Sequence, residues 1–168
     1  KDVGIELYTF SKTFNMAGWR LAFAAGNEQL IEALNLLQDH LFVRIFPAIQ
    51  DAGAAALLDE KAKAAIAGLN QKYDERRHAF VQAAEKIGWH AFESKGAFYA
   101  WMPVPEGYDS ESFADLLLNE AHVAVSPGKG FGEQGDGYVR IGLLVESDCL
   151  LEACHYFIKN QQSAMRLS

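Results

Sequence analysis

The amino-acid sequence predicts an α/β protein, and three observations support that fold class. Short apolar segments such as residues 5–10 and 96–101 have the length and composition of strands. Elsewhere, apolar residues recur at helical spacing, most extensively over residues 59–87. Half of the 168 residues are hydrophobic and 22% are charged, so the chain can form a globular core.

The first part of the chain is predicted to place strands before helices. Residues 5–10 and 21–25 are both expected to be buried strands, and they flank a more polar segment. Asn27 is typical of a helix N-cap, so a helix is predicted to follow it. Pro47 is expected to open the next helix, because proline is tolerated in the first helical turn.

The rest of the chain is predicted to begin with the long helix over residues 59–87, which Gly88 ends. Ser110 is expected to cap a shorter helix. Strands are predicted over residues 89–92, 96–101, 123–125 and 137–142.

Charge and cysteine usage exclude several classes of function. The net charge is -7, and no basic stripe is present, so neither nucleic acid nor a membrane is an expected partner. The apolar runs are far shorter than a bilayer requires. Cys149 and Cys154 are five residues apart on one predicted helix and therefore face different sides, which indicates neither a disulfide nor a metal site. A reduced, cytoplasmic location is the simplest interpretation.

The most informative segment is residues 9–20, with the sequence Thr-Phe-Ser-Lys-Thr-Phe-Asn-Met-Ala-Gly-Trp-Arg. Partial burial and a neighbouring cation would both favour the uncharged amine of Lys12, which is the form that attacks a carbonyl. Arg20 offers a planar set of donors suited to a phosphate. A single lysine is most often an ordinary surface residue. The combination instead predicts a site for pyridoxal 5'-phosphate.

This segment resembles the Schiff-base segment of class I/II aminotransferases of fold type I. In that family a hydroxyl residue lies three positions before the lysine, serine or threonine directly before it, and arginine eight positions after it. Thr9, Ser11 and Arg20 occupy these places. The resemblance implies that Lys12 is the catalytic residue and that all four residues bind pyridoxal phosphate. It also implies amino acid and 2-keto acid substrates and a homodimer.

The resemblance covers nearly the whole chain and implies a domain organisation. Residues 1–60 would form the end of the large αβα cofactor domain, and residues 61–168 the long interdomain helix and the small α+β domain. Residues 73–77 resemble the Tyr-x-x-Arg-Arg of that helix. Family members are about twice as long as this chain. Their aspartate against the pyridine nitrogen and their glycine-rich phosphate turn lie upstream of the lysine and have no counterpart here.

The predicted strand at residues 137–142 contains a second candidate site residue. Alternation places Val139 and Ile141 on one face and Arg140 on the other. Chemistry alone leaves a structural ion pair and a carboxylate-binding role equally open for Arg140. The resemblance implies that Arg140 binds the substrate α-carboxylate, fork to fork.

The glycine-rich segment at residues 126–132 lacks the spacing of a nucleotide-binding Walker loop. It resembles instead the family's Pro-Gly-x-x-Phe-Gly segment, which helps to close the small domain over the substrate. Glycines at such a place allow close approach and mobility.

The leading hypothesis is therefore an amino-acid aminotransferase, of which this chain is a part. Among family members it looks closest to bacterial methionine-salvage aminotransferases that act on a methylthio keto acid. Aspartate-specific relatives tend to carry an arginine where Gly53 follows Ala52 here, so an apolar or broad specificity is expected. Two alternatives stay open: a catalytically inactive structural or association fragment, and another pyridoxal enzyme of the same fold, such as a racemase, decarboxylase or lyase.

Overall fold

A computed structural model describes residues 2–92 and 94–164, with side chains described as far as Tyr156. The chain divides into two compact units, an N-terminal unit as far as Leu69 and a C-terminal unit from Asn70 onward. The elements are β1 (Ile5–Thr9), α1 (Phe10–Thr13), β2 (Ala22–Gly26), α2 (Glu28–Leu41), α3 (Pro47–Leu58), α4 (Glu60–Lys86), β3 (Tyr99–Pro103), α5 (Ser110–Ala121), β4 (Ser126–Pro127), β5 (Tyr138–Gly142) and α6 (Ser147–Ala164). This is the mixed α/β content that the sequence predicts.

Three helix boundaries follow from local chemistry. The side chain of Asn27 accepts a hydrogen bond of 3.1 Å from the backbone N–H of Leu30, which caps α2. Pro47 is the first residue of α3. Gly88, with φ +73°, follows the end of α4. All three predictions are confirmed, and α4 runs through Gly68 as one helix of 27 residues.

The N-terminal unit is built on a two-stranded hairpin. Strands β1 and β2 pair antiparallel from Ile5 opposite Gly26 to Thr9 opposite Ala22. Just beyond this ladder, Phe10 and Leu21 are buried. Helix α3 packs closely there, since a side chain at Gly53 would begin 2.5 Å from a methyl group of Leu21. Gly53 therefore fixes the distance between α3 and the base of the hairpin.

The prediction that both N-terminal strands are buried is wrong. Leu7 in β1 is 71% exposed, Phe23 in β2 is also exposed, and α2 contains no buried residue. The physical reason is that two strands and the helices of this unit are too few to cover both faces of the hairpin. The apolar faces that the sequence pattern assigns to a core are therefore on the surface of the described residues.

The C-terminal unit has a complete core around a three-stranded antiparallel sheet. The strand order is β3-β5-β4, so β5 is central. Val139 and Ile141 of β5 are buried, as alternation predicts, whereas Arg140 is on the half-buried opposite face. Among the described residues, the largest fully buried apolar side chains are in this core: Phe80, Met102, Phe113, Val139 and Leu143.

Two predicted strands are not observed, and one is shifted. Residues 89–92 and 123–125 have no strand conformation, and the predicted strand at 96–101 is observed as β3. The two-residue strand β4 follows residues 123–125 directly. A strand forms only where a neighbouring strand can pair with it in register. In this part of the described chain, the residues that pair with β5 are those of β4. Apolar composition alone does not report that pairing.

The predicted cap of α5 is displaced by one residue. Asp109, not Ser110, is the N-cap, and its carboxylate accepts a hydrogen bond of 2.8 Å from the N–H of Ser112. The hydrogen bonds from the hydroxyl and the N–H of Ser112 hold the pKa of Asp109 below its ordinary value. Ser110 is fully buried and donates its hydroxyl to Asp136, 26 residues away. The serine is therefore used for a tertiary contact.

Within the C-terminal unit, an ion-pair network joins α4 to the start of α6. The Nη2 of Arg76 lies 2.6 Å from an Oε of Glu146, and Lys72 Nζ lies 3.0 Å from the same oxygen. The Arg76 side chain is 9% exposed, whereas that of Glu146 is 68% exposed. Glu146 therefore supplies a counter-charge to a mostly buried guanidinium, but solvent around its carboxylate weakens the pair.

Replacement of Glu146 by glutamine should lower the urea midpoint at pH 7, modestly because the carboxylate is largely exposed. The hydrogen bond from Lys72 and the charge of Arg76 hold the pKa of Glu146 below its ordinary value of 4.5. A carboxyl group whose pKa is lower in the folded state than in the unfolded state stabilises the folded protein at pH values above its unfolded-state pKa. This stabilisation disappears as the pH falls through the folded-state pKa. The midpoints of the two proteins should therefore converge in acid. Glu106→Gln, on an exposed turn, is the control and should show no such pH-dependent difference.

Candidate functional site

The hairpin brings both ends of the segment at residues 9–20 to one place. Thr9 pairs with Ala22, and the N–H of Phe10 donates to the carbonyl of Leu21 at 3.1 Å, which extends the ladder by one step. Ser11 and Arg20 are the next residues on the two sides. The loop between them carries Lys12, so four of the five predicted site residues are on one loop at one end of the hairpin.

The hydroxyls at the start of this loop are organised by the cap of α1. The Oγ1 of Thr9 accepts a hydrogen bond of 3.2 Å from the N–H of Ser11 and donates to the hydroxyl of Ser11 at 3.0 Å. Lys12 follows in the same turn and is exposed. The expected partial burial of Lys12 is therefore not observed. The reason is that α1 is only four residues long and lies at the end of a two-stranded sheet.

Arg20 has a backbone conformation that is uncommon for its residue type. It is left-handed, with φ 51°, at the end of a 3₁₀ turn formed by Ala17–Trp19. Its Nη1 donates to the carbonyl of Ala17 at 3.1 Å. Asn15 in the same loop also has a positive φ, of 53°. Such conformations cost about 1 to 3 kcal/mol each and concentrate at functional sites.

The donor set of this loop fits pyridoxal phosphate. Lys12 supplies a primary amine, the group that combines with an aldehyde. Arg20 supplies a guanidinium, which suits a phosphate, and the hydroxyls of Thr9 and Ser11 can donate to phosphate or phenolate oxygens. Thr9 is the last residue of β1, and the other three residues follow it on the loop between β1 and β2.

The fifth predicted residue, Arg140, is at the centre of the sheet in the C-terminal unit. It lies opposite Trp101 of β3 and opposite Ser126 of β4. Its guanidinium carbon is 4.2 Å from the ring centroid of Tyr99 and 4.2 Å from that of Phe131. No hydrogen bond or ion pair joins this guanidinium to any residue that the structure describes. A structural ion pair, the other interpretation of Arg140, thus has no carboxylate partner among these residues.

The aromatic residues around Arg140 form a connected group. Trp101 stacks on Tyr138, with ring centroids 5.6 Å apart, and its ring meets that of Phe131 edge-on at 5.9 Å. Tyr99 and Trp101 both belong to β3. Both are half-buried here, on the face of the sheet that carries Arg140. The role of Phe131 is not evident from sequence, because the residue comes from a loop outside the strand pattern.

The loop that carries Phe131 is anchored to α5. The buried hydroxyl of Ser110 donates to Asp136 at 3.0 Å and accepts from the N–H of Lys129 at 3.4 Å, so one side chain holds both ends of the loop. The hydrogen bonds from Ser110 also hold the pKa of Asp136 below its ordinary value. Lys129 pairs with Glu111 at 3.4 Å, which raises the pKa of the lysine. Because its ammonium already has a carboxylate partner, Lys129 is not placed as a phosphate ligand.

Gly128 is required for the close approach of two 3₁₀ turns, Gly128–Phe131 and Glu133–Gly135. A side chain at Gly128 would begin 2.2 Å from the carbonyl oxygen of Gly135 and 2.6 Å from that of Tyr138. Gly128→Ala should therefore lower the free energy of unfolding by about 3 kcal/mol, because backbone atoms must move apart. Gly130→Ala, in open space on the same turn, should change it by less than about 1 kcal/mol. Urea unfolding of both variants measures this difference, and equal midpoints would contradict the packing described.

The cysteines and acidic residues do not form a competing site within the described residues. Cys149 and Cys154 are both unpaired, and burial raises the pKa of the Cys154 thiol to about 11, so that thiol is unreactive. Among the residues described, no cluster of three histidine, cysteine or carboxylate side chains is placed to hold a metal ion. No described helix combines the length and apolarity needed to cross a membrane.

Comparison with known proteins identifies the family. Residues 1–157 match the model of the aminotransferase class I and II family, so the chain belongs to that family. The family uses pyridoxal phosphate, in agreement with the donor set of the hairpin loop.

Individual relatives refine the comparison. The chain is 55% identical over 155 residues to the L-glutamine–4-(methylsulfanyl)-2-oxobutanoate aminotransferase of Bacillus subtilis, which covers 92% of this chain and 38% of the relative. It superposes on the apo structure of BacF from the same organism with a TM-score of 0.88 at 45% identity, covering 94% of this chain and 40% of BacF. For the aromatic aminotransferase of Pyrococcus horikoshii the TM-score is 0.90 at 36% identity, with coverage of 96% and 43%. The chain therefore spans about two fifths of the length of these relatives.

Proposed function

We propose that this chain is the C-terminal part of a pyridoxal-phosphate-dependent aminotransferase, which transfers an amino group between an amino acid and a 2-keto acid. The observation that supports the proposal is the hairpin, because Thr9 ends β1 and the loop that follows it carries Ser11, Lys12 and Arg20. This is the donor set that an aldehyde and a phosphate on one cofactor require.

When bound, pyridoxal phosphate supplies an electrophilic carbon for amines and a ring that withdraws electrons from the substrate α-carbon. Lys12 would hold the cofactor through its Nζ, and the same nitrogen would accept the α-proton of the substrate. Arg20 would bind the phosphate of the cofactor, and the hydroxyls of Thr9 and Ser11 would donate to its phosphate or phenolate oxygens.

Arg140 orients the substrate in this proposal. Its guanidinium is half-buried between two rings and has no ionic partner in the described part of the chain. Such a cation suits a carboxylate that arrives with the substrate, because two parallel hydrogen bonds fix both position and direction. Orientation of the α-carbon then determines which bond breaks.

We also propose the domain boundary near residue 60 and a homodimer, both of which the family resemblance implies. The exposed apolar faces of the N-terminal unit support incorporation into a larger assembly, because such surface is normally covered. The same observation supports a second proposal, that the isolated 168-residue chain is inactive and the complete polypeptide is active.

The substrate pair named for the Bacillus subtilis relative is the pair we propose first, glutamine and 4-(methylsulfanyl)-2-oxobutanoate. The test is an assay of the complete polypeptide with this pair, in which mass spectrometry detects methionine carrying nitrogen from labelled glutamine. Aromatic and diamino acids serve as competing donors. Labelled methionine supports the proposal. If no donor transfers nitrogen and the amino acids instead lose carbon dioxide or racemise, the protein is a different pyridoxal enzyme.

A further inference from the structure

Two aromatic rings contact the guanidinium of Arg140. The ring centroids of Tyr99 and Phe131 are each 4.2 Å from its central carbon. The five N–H donors of arginine all lie in the guanidinium plane. A carboxylate that pairs fork to fork therefore approaches along the edge of the guanidinium. None of the described residues occupies that edge with a hydrogen bond or ion pair.

The two rings come from different kinds of structure. Tyr99 is on β3, where its position follows from the register that places it opposite Gly142. Phe131 is the last residue of a 3₁₀ turn and is 52% exposed. An exposed phenyl ring on a loop can adopt many orientations, so contacts must offset the conformational entropy that is lost when one orientation is fixed. Phe131 makes two such contacts, with the guanidinium of Arg140 and edge-on with the ring of Trp101.

The turn that carries Phe131 is held from two sides. Gly128 and Gly135 are in direct backbone contact, since a side chain on either would begin within 2.2 Å of a carbonyl oxygen of the other. Ser110 bonds to Lys129 and Asp136, near the two ends of the turn pair. These contacts fix the backbone before and after Phe131, so the ring is placed over Arg140 by the fold and not by the ligand.

We infer that Phe131 is a positioning residue for Arg140: together with Tyr99 it encloses the guanidinium and fixes its plane, so that the edge faces an incoming carboxylate. This inference rests on the proposed role of Arg140 in binding the substrate carboxylate. It differs from a direct contact between Phe131 and the substrate side chain. A positioning residue affects all amino acids alike, whereas a direct contact affects them according to their side chains.

The kinetic test compares three variants of the complete polypeptide. Phe131→Leu keeps an apolar side chain but removes the ring, and it should raise KM about tenfold with kcat changed less than twofold. The rise should be the same for methionine and phenylalanine. Phe131→Tyr restores a ring and should return KM to the wild-type value. Phe92→Leu removes an exposed ring that has no contact with Arg140 and is the matched control. A KM for Phe131→Leu within twofold of wild type, or a rise limited to one amino acid, overturns the inference.

A second readout does not depend on activity. Phenylglyoxal modifies arginine side chains, and peptide mapping by mass spectrometry gives the labelling rate of Arg140 alone. Because both rings contact the guanidinium, this rate should be several-fold lower in wild type and in Phe131→Tyr than in Phe131→Leu. If the wild-type polypeptide transfers no amino group, the proposed function is wrong, and the labelling rate alone then decides whether Phe131 holds Arg140. Equal rates in wild type and Phe131→Leu contradict the inference in either case.

Discussion

Replacement of Lys12 by alanine is expected to lower amino transfer by the complete polypeptide by at least about a thousandfold. The side chain at this position supplies both the amine that holds the cofactor and the base that moves the α-proton, and no water molecule replaces both functions. The loss should be in kcat, since the proposed substrate carboxylate site at Arg140 is unchanged. Steady-state assays with glutamine as donor, at saturating pyridoxal phosphate, measure the effect.

Two further variants show whether this loss reports chemistry or structure. Lys12→Arg keeps the positive charge but removes the nucleophilic amine, so it should be as inactive as alanine. Lys86→Ala removes another exposed lysine, in the last turn of α4, and should keep wild-type activity. All three proteins should unfold at similar urea concentrations, because exposed substitutions usually change stability by less than about 0.5 kcal/mol. Substantial amino transfer by Lys12→Arg would contradict the proposed role.

Replacement of Arg140 by methionine should lower kcat/KM for amino acids about a hundredfold. Removal of one partner of a charge-assisted hydrogen-bonded pair costs about 3 kcal/mol. Methionine keeps an apolar, flexible side chain between the rings of Tyr99 and Phe131, which limits the effect on packing. Lysine at this position should recover only part of the loss, because it lacks the planar fork.

The substrate itself provides the control for this variant. An amine with the side chain of methionine but no carboxylate cannot pair with Arg140. Wild type should therefore prefer the amino acid over this amine by a large factor, and Arg140→Met should reduce that preference about a hundredfold without making the amine a poorer substrate. An unchanged preference would mean that another residue binds the carboxylate.

Helix boundaries were predictable from sequence because their causes are local. Asn27 caps α2 through a residue three positions away, and Gly88 ends α4 by its own conformation. Strands were less predictable because their cause is a distant partner. Residues 123–125 are apolar, yet the pairing with β5 occurs at the next two residues. The serine predicted to cap α5 bonds to Asp136 instead, a contact across 26 residues that no local pattern reports.

The site shows the same division between local and distant information. The spacing of Thr9, Ser11, Lys12 and Arg20 is contained in one loop, so the sequence was sufficient to group them. The exposure of Lys12 was not predictable, because it depends on what packs at the end of the hairpin. Tyr99 was within reach of sequence reasoning: in an antiparallel pair with Trp101 opposite Arg140, Tyr99 is the diagonal neighbour. The position of Phe131 was not predictable from sequence, because the fold of its loop depends on Gly128, Gly135 and Ser110 together.

The proposed function depends most on covalent binding of the pyridoxal phosphate aldehyde by the amine of Lys12. Its most direct test is borohydride reduction of the complete polypeptide after incubation with the cofactor, followed by peptide mapping by mass spectrometry. We expect one modified peptide, with the reduced pyridoxyl group on Lys12, and no such peptide in Lys12→Ala. Labelling at a different lysine, with Lys12 unmodified, would contradict it.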